Sequence, residues 1–143
     1  MRLREILQQK GRSVVGIGAD RTVLEAARTL VEHGIGSLVV QDDGHLLGII
    51  TERDILRLTA RSVPLEETLV RTAMTVDVVT TTPDAELQAT MTTMTERRIR
   101  HLPVLSEDGG LEGLVSIGDL LNACRVEAEA ENTHLREYIQ GAG

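Results

Sequence analysis

Aromatic side chains are almost missing from this chain of 143 residues: it has no Trp, no Phe and a single tyrosine, Tyr138. Its core must therefore be built from Leu, Ile, Val, Met and Ala. Cysteine is as scarce. Cys124 stands alone, which excludes an internal disulfide and a cysteine-based metal site. No apolar run approaches the roughly 18–20 residues that a membrane-spanning helix needs. The opening MRLREILQQKG alternates charged with apolar residues and lacks the continuous apolar stretch of a signal peptide. A cytoplasmic location with no membrane partner is the expectation. Positive charge is short too: 15 Lys and Arg stand against 22 Asp and Glu, a formal net charge of -7. That argues against a nucleic-acid partner, whose binding rests on neutralising phosphates with Lys and Arg. A small anion at a local basic cluster is compatible with it.

What the chain does have is an internal repeat. Gly48 to Leu56 reads GIITERDIL, and Gly113 to Leu121 reads GLVSIGDLL. One constant shift sets Glu32 on Glu96, Ile35 on Ile99, Leu38 on Leu102 and Val40 on Val104, and upstream Asp20 on Asp84. The shift grows by one residue where SEDGG replaces QDDG, a length change that a turn tolerates. Each half opens with a β-branched run, Ser13–Ile17 or Asp77–Thr81, expected as a short strand. An amphipathic helix follows, marked by Val23, Ala26, Ala27, Leu30 and Val31, or by Leu87, Met91 and Met94. Two aliphatic strands come next, joined at Asp43-Gly44 and Asp108-Gly109, where Asp-Gly accepts the positive φ of a tight turn. A last helix starts at Thr51 or Ser116. The fold class is α+β, with two β-α-β-β-α repeats packed about a pseudo-two-fold axis.

Two further helices are expected. Residues MRLREILQQKG precede the first repeat as LEETLVRTAM precedes the second, with Leu3/Leu7 and Val70/Met74 as equivalent apolar anchors. The final helix is longer than the fold requires, and Leu121, Ala128 and Leu135 recur along one face of it. The boundaries are 1–61 for the first repeat with the N-terminal helix, 62–76 for the linker helix, 77–124 for the second repeat and 125–143 for the C-terminal helix extension.

The β-α-β-β-α order, the doubled Gly-aliphatic-aliphatic-Thr/Ser-x-x-Asp ending and the strand Ile-Arg-His-Leu-Pro-Val at 99–104 resemble the CBS domain. Two in tandem resemble a CBS pair, or Bateman module, of the small stand-alone bacterial type. The likeness covers about Ser13 to Leu121. It implies a non-catalytic regulatory module that binds an adenine nucleotide (AMP, ADP, ATP or NAD(H)) in clefts between the repeats and signals energy or redox state to a regulated protein.

By themselves, Thr51 with Asp54 and Ser116 with Asp119 read as capping boxes, a hydroxyl at the helix start and an acid three residues on. A carboxylate there can also accept two hydrogen bonds from a ribose diol. The resemblance implies that second role for Asp54 and Asp119, with Thr51 and Ser116 in support. It sets the base against Val15 and Gly16 in one repeat and Val79 and Thr80 in the other, with Ile35, Ser37 and Pro103 closing the opposite side. The bland alternative for the aliphatics is plain core. The repeats differ in charge: Arg97, Arg98, Arg100 and His101 stand where the first has His33, Gly34, Gly36 and Ser37. Arg100 and His101 are the leading phosphate ligands, with Arg53, Arg97 and Arg98 as further candidates. A helix end would favour cations in any case.

No catalytic residue or metal site is expected. His45 and His134 lack metal-ligand spacing, and Cys124 has no acid–base partner and is expected to pack on a helix face. A homodimer is expected, its outer helix faces carrying Leu58, Leu121 and Ala128. The competing reading is an interaction or dimerisation scaffold with vestigial clefts. Gly16 and Gly18, where the second repeat has Thr80 and Thr82, count for it.

Overall fold

The computed structural model describes residues 1–142; Gly143, the last residue of the expected C-terminal extension, lies outside the described residues. Eleven elements run in the order α1 (Leu3–Lys10), β1 (Gly16–Ile17), α2 (Val23–His33), β2 (Ser37–Asp42), β3 (His45–Thr51), α3 (Glu52–Ala60), α4 (Val70–Ala73), α5 (Leu87–Arg97), β4 (His101–Leu105), β5 (Leu111–Ser116) and α6 (Ile117–Ala142). Two β-α-β-β-α units are present, with helices before the first and at the end of the second.

Local chemistry sets the boundaries. Thr22 caps α2 by accepting from the Glu25 amide at 3.2 Å, and α2 ends on Gly34 at φ 62, the left-handed backbone that glycine adopts without penalty. The β2–β3 turn has Asp43 and Gly44 both at positive φ, as Asp-Gly predicts. In the second repeat Gly109 has the positive φ of 85, and the longer loop closes on itself with Ser106 N–H donating to the Gly110 carbonyl at 2.8 Å.

The first sheet has the order β1-β2-β3, with β1 parallel to β2 and β2 antiparallel to β3; the second is the β4-β5 antiparallel pair. Both hairpins carry a register irregularity at the same point of the repeat, after Val40 and after Val104. The opening strands are shorter than the β-branched runs suggest. Of Ser13–Ile17 only Gly16–Ile17 forms a strand, and of Asp77–Thr81 only Thr81 pairs, with Val104. A local hydrogen bond from the Val78 amide to the Val76 carbonyl, 2.9 Å, turns that backbone before it can extend.

Each repeat has its own aliphatic core. In the first, Val23, Ala26, Leu30, Leu38, Val40 and Ile50 are joined by Val70 of α4; in the second, Leu87, Met94, Leu102, Val104, Val115 and Leu120 are joined by Leu3, Ile6 and Leu7 of α1. The N-terminal helix, grouped with the first repeat by chain order, thus packs on the second, and the linker helix packs back on the first. The anchors Leu7 and Met74 explain the glycine that opens the repeated motif. A Cβ on Gly113 would lie 2.7 Å from Leu7 Cδ2, and one on Gly48 would lie 2.9 Å from Met74 Sδ and 2.5 Å from the Thr75 carbonyl. In both repeats the glycine lets a crossing segment lie directly on the strand.

The repeats also match in a backbone hydrogen bond at the start of the helix that follows each hairpin. The Glu52 amide donates to the Gly36 carbonyl at 3.0 Å, and the equivalent Ile117 amide donates to Arg100 at 2.9 Å. At the far end the two hairpins touch through a bridge between His45 and Gly110. Beyond Glu127, whose carboxylate pairs with the N-terminal amine at 3.1 Å, residues 128–140 of α6 are all exposed. Leu58, expected on an outer face, instead packs into the first core. The periodicity could not separate it from its neighbour Leu56, which is 68% exposed.

Candidate functional site

Thr51 is the last residue of β3 and the cap of α3. Asp54 Oδ2 accepts from the Thr51 amide at 2.9 Å, while the Asp54 amide donates to Thr51 Oγ1 at 3.3 Å. The same reciprocal box joins Ser116 and Asp119, at 2.8 and 3.1 Å. Both capping boxes form as the spacing predicts. Capping fixes each carboxylate at the mouth of its helix, where the backbone dipole favours negative charge.

A cleft of about 350 Å³ opens beside the first of these boxes. One wall is Thr51, Glu52, Arg53, Asp54 and Arg57 from the first repeat; the other is Val78, Val79, Arg98, Ile99, Arg100 and His101 from the second. Thr75 and Asp77, from the crossing segment, close one end. Of the residues singled out in the sequence, the cleft gathers Thr51, Arg53, Asp54, Val79, Arg98, Arg100 and His101. Carboxylate, hydroxyl, aliphatic face and guanidinium groups thus converge across the repeat boundary.

The other candidates lie elsewhere. Val15 packs on the first core, and Gly16 is overlain by Gln41 and Val39. Ser37 is buried opposite Thr51 in the β2–β3 ladder. Pro103 is a buried strand residue whose carbonyl accepts from Thr81 at 3.0 Å. Thr80 and Arg97 are exposed. Ile35 lines a separate, more open apolar groove of about 480 Å³ between α2 and α3, with Val31 and Ile55. Cys124 packs on a helix face as expected, its Sγ 3.1 Å from Met91 Sδ.

Arg98 has φ 55, ψ 43 where the first repeat has Gly34. A left-handed backbone is costly for any residue with a Cβ, and Arg98 lines the cleft. Burial pushes the His101 imidazole below its ordinary pKa, helped by the charges of Lys10 and Arg100 and opposed by Asp119 and Glu52. At neutral pH it is an uncharged ring, able to donate one hydrogen bond. The permanent positive charge of the cleft comes from the arginines.

Asp119 is not the twin of Asp54. Lys10, a residue without any motif signal, donates to its Oδ2 at 2.6 Å and to the Leu114 carbonyl at 2.7 Å. Burial would raise the Asp119 pKa, but the hydrogen bonds from Lys10 and from Ser116 outweigh it and hold the carboxyl below its ordinary value. Among the described residues Asp54 has no ion-pair partner. Glu52, Arg57, Thr75 and Asp77 also went unnoticed in the sequence. Only contact across the repeat boundary gives them a place in the cleft.

This arrangement of paired β-α-β-β-α units defines a class. The CBS domain family matches the chain at residues 4–61 and again at 70–126, and the chain belongs to that family, as a tandem pair. CBS domains are regulatory modules and not catalysts. The chain is 38% identical to the mitochondrial CBS domain-containing protein CBSX3 of Arabidopsis thaliana, over 97% of this chain and 72% of that one. Its fold matches a CBS-domain-containing protein from Agrobacterium tumefaciens with TM-score 0.80 and 42% identity, covering 86% of this chain and 98% of that one. It also matches a CBS domain protein from Pyrobaculum aerophilum complexed with AMP, with TM-score 0.76 and 25% identity over 83% of this chain and 89% of that one. Among the described residues no helix is long and apolar enough to cross a membrane, and no cluster of His, Cys, Asp or Glu could hold a metal ion.

Proposed function

We propose that the chain is a regulatory module that binds an adenine nucleotide in the Asp54 cleft and reports adenylate or redox state to a partner protein. One observation carries this reading: a single cleft joins the Thr51–Asp54 box of one repeat to Val78, Val79, Arg98 and Arg100 of the other. The Asp54 carboxylate suits a ribose diol, since hydrogen bonds to a charged acceptor are each worth roughly 1.5–3 kcal/mol. The valines suit a base face. Arginine at the rim suits phosphate, which its planar fork engages through two parallel bonds. AMP in the Pyrobaculum aerophilum relative supports the ligand class.

A nucleotide in this cleft touches both repeats, so it favours the relative arrangement that lets both walls engage, by no more than its differential affinity for the two states. The module acts as a homodimer in this reading. Val31, Leu56 and Leu121, 83%, 68% and 55% exposed on the outer helices, are the apolar surface that pairing would cover. A single free Cys124 suits the reducing cytoplasm. The test is a thermal-shift panel. AMP, ADP, ATP or NAD(H) should raise the melting temperature, as a ligand that binds only the native state must, and GMP and CMP should raise it less. No shift with any adenosine compound at millimolar concentration would hand the case to the scaffold reading. That reading is favoured by the internal pairing of Asp119 with Lys10, beside Gly16 and Gly18 where the second repeat has Thr80 and Thr82.

A further inference from the structure

The two motif carboxylates stand at equivalent points of the repeat, yet only one is free to meet a ligand. The crossing segments are equivalent as well, since Leu7 lies on Gly113 as Met74 lies on Gly48. Three residues beyond each anchor the chain comes to the motif box of the repeat it crosses. On one side that residue is Asp77, at the end of the open cleft. On the other it is Lys10, whose ammonium is bonded to Asp119 Oδ2 at 2.6 Å and to the Leu114 carbonyl at 2.7 Å. The acceptor offered by Asp54 is thus answered from within the chain at Asp119.

The surroundings keep Lys10 in place. It sits in the last turn of α1, where a cation is favoured by the helix dipole, and α1 itself is anchored through the buried Leu3, Ile6 and Leu7. Lys10 and Asp119 are both partly sheltered, with 38% and 24% of their side chains exposed. The first-repeat counterparts of Arg98 and Arg100 are Gly34 and Gly36, so these two positions supply no guanidinium on the Asp119 side.

We propose that Lys10 is a built-in plug that holds Asp119 back as a second nucleotide site, so that each chain binds one nucleotide, at Asp54, until the lysine is displaced. The inference rests on the nucleotide reading above and adds to it the stoichiometry and the residue that sets it. α1 belongs to the second repeat's core, so a partner that shifted the end of α1 would free Asp119. The plug makes binding at Asp119 depend on how the N-terminal helix is seated.

Calorimetric titration of the full chain with AMP tests this. Wild type should bind one AMP per chain, with binding at Asp119 at least tenfold weaker. Lys10→Gln, which removes the charge but keeps a polar stem, should bind two, and Lys10→Met should do the same if the charge is what matters. In Lys10→Gln/Asp54→Asn one site should remain, the unplugged one. One site in wild type and in both Lys10 variants would overturn the plug while leaving the nucleotide reading intact. Two sites in wild type with one lost in Lys10→Gln would also overturn it, because Lys10 would then be a ligand. No heat from wild type or from either variant with AMP, ADP, ATP or NAD would overturn the nucleotide reading and the plug with it.

Discussion

Replacing Gly48 by alanine should cost far more than the same change at Gly113, although the two occupy one position of the repeated motif. At Gly48 the added Cβ would sit 2.5 Å from the Thr75 carbonyl oxygen, against an ordinary contact of 3.4–4 Å. That oxygen cannot move alone, since the Ile49 amide donates to it at 3.0 Å and the Thr75 amide donates back to Ile49 at 2.9 Å. Relieving the clash therefore loosens two backbone hydrogen bonds, worth about 0.5–1.5 kcal/mol each, on top of roughly 1–3 kcal/mol of overpacking. Lower chain entropy in the unfolded state returns about 0.4–1 kcal/mol. A net loss of roughly 1–6 kcal/mol, centred near 3, follows for Gly48→Ala. At Gly113 the near atoms are the branched end of the Leu7 side chain, which can shift rotamer at a cost of about 0.5–1.5 kcal/mol, largely offset by the same entropy term. Urea unfolding of both variants measures the difference directly. Thr75 also closes one end of the cleft, so only Gly48→Ala should weaken AMP binding. Equal destabilisation of the two variants, or a larger loss at Gly113, would refute the distinction between a fixed backbone contact at Gly48 and a yielding side-chain contact at Gly113.

Other consequences follow from the packing and the charges. Leu7→Ala empties a fully buried site in the second core and should cost about 2–5 kcal/mol; hydrogen exchange should quicken in α5 and β5 before α2 and β2, and the reverse order would contradict the swapped packing of α1. His101 has a depressed pKa in the fold, so the folded chain holds fewer protons than the unfolded one beneath about pH 6.5. Stability should thus be full above that pH and fall as pH drops through it toward the folded value. Lys10, Asp119, Glu52 and Arg100 all act on this ring, and His101→Gln should flatten that limb of a melting-temperature profile. Asp119, held low by Lys10, adds a second loss at lower pH, beneath about 4, which Lys10→Gln should reduce. Gel filtration with light scattering should give the mass of two chains without nucleotide, and Leu56→Glu or Leu121→Glu should shift it toward one.

Much of this was legible in the sequence for physical reasons. The repeat, the Asp43-Gly44 hairpin and the two capping boxes are local: turn chemistry and helix-start chemistry need only three or four neighbouring residues. The equivalence of Leu3/Leu7 with Val70/Met74 was legible as pattern, but which core each helix joins depends on a long crossing that periodicity does not encode. The Asp77–Thr81 run has strand composition, yet the Val78–Val76 hydrogen bond diverts it, a competition that β-propensity does not weigh. Half of the cleft was visible as the Thr51–Asp54 box and the arginine cluster. Lys10 was invisible because a lysine in a helix's last turn is what the dipole favours anyway, and its partner Asp119 lies 109 residues away. Val15, Gly16, Ser37 and Pro103 carry the right residue types, but packing and strand pairing occupy them within the fold.

The most direct test of the central claim is calorimetric titration of AMP into the intact chain and into Asp54→Asn. The account predicts saturable binding to wild type and at least a tenfold loss of affinity in the variant. The unliganded variant should melt nearly as wild type does, because the asparagine Oδ1 can still accept from the Thr51 amide and the lost charge is worth only about 0.3–1 kcal/mol. Unchanged affinity in Asp54→Asn would contradict the site, and binding lost only together with the fold would leave Asp54 as a cap and nothing more.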